Sequence, residues 1–144
     1  MTGPKRLYQS PDEIEAVVRG FESCTLPPSE LDHAAHLAVA LWYLSRLTDA
    51  EAAGAIRKGL YRFLDHHGIG RGKYNETITL FWIKRVRRFL DDADINRSLA
   101  DLANEAIARF GDSRLAFDYY SRERINSEAA KSSWVEPDLK PLDF

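Results

Sequence analysis

The amino-acid sequence predicts an all-α single domain, a bundle of about five main helices followed by short helices and an extended tail. Apolar residues recur at three- and four-residue spacing in five separate stretches, and helix-start or helix-stop residues bracket those stretches. No stretch shows the sustained alternation of a half-buried strand, and no internal repeat is visible. At 144 residues, one core suffices.

Residues 1–9 read as a flexible lead and 10–144 as the helical domain. Ser10-Pro11-Asp12-Glu13 combines a capping serine, proline at the first helical position and an acidic first turn, and Ile14, Val17, Val18 and Phe21 form the buried stripe behind it. Pro27 and Pro28 stop that helix, because proline lacks the N–H donor and biases its predecessor toward extended backbone. Residues 33–47 are apolar on nearly every side, which predicts a central helix, with Asp32 or Ser29 as cap.

Thr48-Asp49-Ala50-Glu51 is a capping box opening a third helix, whose stripe runs through Ala53, Ile56, Leu60, Phe63 and His67 to a stop at Gly68. Three glycines make 68–73 a loop. Asn75 then caps a fourth helix that turns Ile78, Trp82, Val86, Phe89 and Leu90 inward. The fifth, 97–110, buries Leu99, Leu102, Ala103, Ala106 and Phe110 and closes at Gly111. Short helices follow near 113–120 and 127–132. Pro137 and Pro141 prevent a regular last helix, so 133–144 is expected as an extended arm anchored by Trp134, Leu139 and Phe144.

Hydrophobic residues at 44% and charged residues at 29% are ordinary for a globular chain, and the formal net charge of −2 gives no global attraction to nucleic acid. The basic run 84–88 reads as a solvated helix face. No apolar run approaches the roughly 18 residues of a membrane span, and no secretory leader is recognisable. The single Cys24, read as a packed thiol, excludes an internal disulfide framework. Cytoplasmic location is the expectation.

Two polar clusters interrupt the apolar pattern: His33-Ala34-Ala35-His36 at the start of helix two and Tyr74-Asn75-Glu76-Thr77 at the start of helix four. Residues three apart share a helix face, so His33 and His36 can address one ligand. Imidazole is a common donor to divalent transition metals, and Glu76 is the best third donor, which gives His33, His36 and Glu76 as metal-site candidates. The same volume suits a small polar molecule, with Tyr74 and Asn75 as binding neighbours. In an enzyme, His36 or Glu76 would be the base. Tyr120 and Arg122, in Tyr119-Tyr120-Ser121-Arg122-Glu123-Arg124, could orient a carboxylate or phosphate. The structural alternative gives these residues to caps, core hydrogen bonds and ion pairs. His67, near a helix C-terminus, suits interaction with its carbonyl dipoles. The zinc-protease, zinc-deaminase and P-loop patterns are all missing.

Together with His33-x-x-His36-Leu37 and Trp134-Val135-Glu136-Pro137-Asp138-Leu139, those blocks resemble a group of small uncharacterised bacterial helical proteins of no assigned activity, over about residues 21–141. That group's pattern has Trp-Thr where this chain has Leu31-Asp32, and His where it has Asn75, so the resemblance implies a weaker metal role here. Helical DinB-like metal-binding bundles are a looser, fold-level likeness with a different histidine spacing. The sequence thus points to a metal-ion or small-ligand site between the starts of helices two and four, or else to a non-catalytic interaction module or homodimer without metal.

Overall fold

A computed structural model of the chain describes residues 8–94 and 96–144. Its α-helices are α1 (Pro11–Glu22), α2 (His33–Leu44), α3 (Asp49–His66), α4 (Glu76–Asp92), α5 (Leu99–Phe110), α6 (Arg122–Ile125) and α7 (Glu128–Ser132). Tight 3₁₀ turns occupy Pro28–Glu30, Arg71–Lys73 and Ser113–Asp118. Among the described residues there is no strand, and the all-α bundle predicted from periodicity is what forms. No described helix is long and apolar enough to cross a membrane.

The helix starts follow the capping logic with one exception. Asp32 accepts from the Ala35 N–H at 2.9 Å, Asn75 from the Ile78 N–H at 2.9 Å, and Thr48 with Glu51 forms the reciprocal capping box. Ser10 occupies the cap position of α1, but its hydroxyl makes no cap bond; Glu13 reaches back instead and accepts from the Gln9 N–H at 2.6 Å. Helix α2 ends at Leu44, short of the expected 47. Helix α5 starts at Leu99 rather than 97, with Ser98 as its cap. The expected flexible lead lies outside the described residues up to position 7. Tyr8 is tied to α5 through a two-way backbone bond with the Asn104 side chain, each contact 2.9 Å.

Helix α2 packs against α1, α3, α4 and α5, as its all-round apolarity requires. Leu37, Ala38 and Leu41 are at most 1% exposed in this principal core. Gly59 lets α3 pack closely on α1, because a Cβ there would stand 2.5 Å from the Phe21 ring. Cys24 is buried in the same core, with a positive φ of 62° just beyond α1.

A second, smaller core lies on the other side of α4. Phe81, Tyr120 and Ile125 are its most buried members, and Trp134, Val135, Leu142 and Phe144 of the arm pack on it. Helix α4 is therefore a shared wall, sending Ile83, Val86 and Phe89 to one core and Phe81 to the other. Trp134 and Phe144 anchor the arm as expected. Leu139 does not: it is 57% exposed, and only its backbone N–H is held, by the Tyr119 carbonyl at 2.9 Å.

The basic run on α4 also departs from the solvated face expected of it. The Arg85 guanidinium is sandwiched between Phe110 at 4.4 Å and Phe144 at 4.3 Å, and desolvation holds its pKa below the usual arginine value. Arg87 binds Asp49 and the Leu44 carbonyl, while Arg88 pairs with Asp92 one turn on.

A candidate ligand cavity between three helices

A cavity of about 560 Å³ opens between the start of α2, the second half of α3 and the start of α4. That volume is ordinary for a small-molecule pocket. Helix α2 contributes His33, His36 and Ala40; α3 contributes Ile56, Leu60, Phe63 and Leu64. The glycine loop and the first turns of α4 add Ile69, Lys73, Tyr74, Asn75, Ile78, Thr79, Trp82 and Ile83, and the 3₁₀ turn after α5 adds Ser113, Ala116 and Phe117. The glycine loop can follow this path because Gly68 and Gly70 take φ of 69° and 84°, in the left-handed region where a side chain is strained.

The two histidines share the cavity but differ in their bonding. His33 Nε2–H donates to the Phe110 carbonyl at 2.9 Å, and its ring lies 4.4 Å from that of Trp82, so it ties the start of α2 to α5 and α4. The His36 ring makes no hydrogen bond to any described residue. Burial lowers its pKa to about 4, and charge on His33 adds to that shift while Asp32 opposes it. His36 is thus a neutral imidazole at neutral pH, with one donor and one acceptor nitrogen.

Glu76 is not brought to the histidines. It turns to α3, where Arg57 grips it through Nε at 2.9 Å and Nη2 at 2.5 Å, and the Tyr74 hydroxyl donates to Oε1 at 2.5 Å. Arg57 is the chief cause of a Glu76 pKa below the usual carboxylate value; Tyr74 lowers it further, against the opposing effect of burial. An anion stabilised in this way is a poor base, and both of its oxygens are engaged by Arg57 and Tyr74 rather than by the histidines. Among the described residues no group of three or more His, Cys, Asp or Glu is arranged to hold a metal ion.

The other residues of the two polar blocks also have structural partners. Asn75 caps α4 with its oxygen and donates its amide to the Ile125 carbonyl at 2.6 Å. Thr77 donates to the Ser133 carbonyl at 2.7 Å and accepts from the Val135 N–H at 3.2 Å. Tyr120 is fully buried and donates to the Val135 carbonyl at 2.7 Å; burial pushes its hydroxyl up to about 12. Ser121 is held by Asp138 through both its backbone N–H and its hydroxyl. Arg122 is exposed, with its guanidinium 4.6 Å from the Phe117 ring, so it reaches the cavity only through the back of a lining residue.

Of the sequence candidates, His33, His36, Tyr74 and Asn75 line the cavity, whereas Glu76, Tyr120 and Arg122 do not. Lys73, Trp82, Ser113 and Phe117 line it without having been singled out as site residues. The nearest sequence signal was the glycine loop next to Tyr74. His67 joins no site: its ring lies 4.4 Å from Phe63, and its Nε2 is buried with no hydrogen-bond partner among the described residues. Comparison with known proteins returned no match, whether to family models, curated proteins or solved structures.

Proposed function

We propose that this protein is a binding domain for a small organic molecule with a largely apolar body, held in the cavity between α2, α3 and α4. The carrying observation is a cavity of about 560 Å³ walled mainly by aliphatic and aromatic side chains, into which His36 brings a hydrogen-bonding group with no partner among the described residues. The His36 ring is part-buried and faces the cavity, so a ligand there can take up its donor or acceptor nitrogen. A metal ion is the less supported occupant: His33 Nε2 is engaged by a carbonyl and Glu76 by Arg57.

Titration with N-phenyl-1-naphthylamine, a neutral apolar fluorophore, tests the reading. Saturable binding at one site is expected. Ala40→Phe, which places a ring inside the cavity, should abolish it while leaving the helical circular-dichroism spectrum intact; Ile78→Trp is the second blocking variant if the first does not fold. Absence of saturable binding, or binding that persists in a folded blocking variant, would overturn the proposal.

A further inference from the structure

We infer that the occupant of this cavity is a monoanion, an apolar body ending in a carboxylate, whose head is paired by Lys73. The inference rests on the cavity being a ligand site and adds the chemistry of the ligand's polar end. It follows from accounting for the polar groups in the walls. The Tyr74 hydroxyl is committed to Glu76, and both ends of the Asn75 amide are used. The Thr79 hydroxyl donates to the Asn75 carbonyl at 3.0 Å, and His33 Nε2 is engaged by Phe110. His36, Lys73 and Ser113 remain, with no hydrogen bond or ion pair to any described residue. All three can donate a hydrogen bond to oxygen.

Charge points the same way. Among the described residues that line the cavity there is no Asp or Glu, and Lys73 is the one permanent cation. The loop's other cation, Arg71, is committed: it binds Asp65 through Nη2 at 2.8 Å and lies 4.4 Å from the Tyr61 ring. Lys73 is also held in place. It ends the 3₁₀ turn Arg71–Lys73, and the next residue, Tyr74, is buried, bonded to Glu76 and packed on Tyr61 at 4.8 Å. An amine ligand would meet Lys73 as a like charge, and an alcohol would leave it unused. A phosphate dianion would face one cation where such groups ordinarily take several charge-assisted donors. A carboxylate fits the single ammonium, with the neutral donors His36 and Ser113 elsewhere in the same wall.

The test uses three compounds with one body and different heads, 4-phenylbutyrate, 4-phenyl-1-butanol and 4-phenylbutylamine, each competing with N-phenyl-1-naphthylamine. The carboxylate should compete about fivefold or more better than the alcohol at low salt, with the amine weakest, as expected for a charge-assisted bond at a half-wet rim. Lys73→Met should remove that preference, read as the ratio of carboxylate to alcohol affinity within the variant. Added salt should narrow the gap in the wild type alone. The inference is overturned if the alcohol equals the carboxylate, if none of the three competes while the fluorophore binds, or if the preference survives in Lys73→Met. Failure of the fluorophore itself to bind strikes the underlying reading of the cavity instead.

Discussion

The start of α4 lies between two sets of similar polar residues that the fold uses in opposite ways. On the face toward the arm, Asn75 and Thr77 are bonded to Ile125, Ser133 and Val135, while Glu76 turns to Arg57 and Tyr74. On the face toward α2, His36, Lys73 and Ser113 have no such partners. Polar residue types in an apolar context therefore do not distinguish a clasp from a site. What distinguishes them is whether the protein itself completes their hydrogen bonds: a satisfied group favours one structure, whereas a water-accessible one on a cavity wall is left available to a ligand.

The strongest way to break this comparison is to remove the ring that the clasp surrounds. Phe81 is fully buried, with its centroid 5.5 Å from Tyr119, 5.4 Å from Phe144 and 6.3 Å from Tyr120. Phe81→Ala should cost about 3–5 kcal/mol, measured by urea unfolding, and should expose the chain to limited trypsin digestion at Lys131, at the foot of the arm. If stability falls but the arm stays protected, the polar bonds alone hold it, and the second core is less cooperative than its packing implies.

The cavity face makes a different prediction, one of pH dependence. The His36 pKa falls from 6.5 to about 4 in the folded protein. Between those values the unfolded chain binds a proton that the folded chain does not. The contribution to stability is therefore complete above pH 6.5, declines as the pH drops toward 4 and levels off below. The total is at most about 3 kcal/mol, less to the extent that water in the cavity screens the charge. His36→Leu should remove this slope while the carboxylates titrate alike in both proteins. Unfolding free energies at pH 7 and pH 4.5 should thus diverge in favour of the variant at the lower value. A difference between the proteins that does not change with pH would mean that His36 is solvated in the folded state.

How much of this was legible in the chain depends on the range of the interaction. Capping and periodicity are local, so Asp32, Thr48 and Asn75 were readable as caps and the five main helices as helices. The clasp is not local. Thr77 meets residues 56 and 58 positions away, and nothing near Thr77 marks them. The Tyr-Asn-Glu-Thr block therefore looked like half of a site, and Glu76 was expected beside the histidines because Arg57, 19 residues earlier, could not be matched to it. Leu139 was expected as an anchor from its apolarity, but it lies in a bend at 138–140 that leaves its side chain exposed, and Leu142 and Val135 pack inward instead. The cavity was the least legible feature. Ile78 and Trp82 were readable as inward-facing, but a stripe of apolar residues does not record that the space between helices is left unfilled.

The smallest expected effect sharpens the comparison most, because it changes one atom's chemistry on the clasp side. Thr77 is fully buried, and its hydroxyl both donates to Ser133 and accepts from Val135. Thr77→Val keeps the shape, removes both bonds and leaves a carbonyl and an N–H of the arm without partners, at a cost of about 1–2 kcal/mol. Hydrogen exchange at the Val135 amide should accelerate, whereas amides of α2 near His36 should keep their rates, and binding of the neutral fluorophore should not change. Were fluorophore binding to weaken together with arm protection, the two faces of α4 would be energetically coupled, and the arm would belong to the ligand site rather than to a separate clasp.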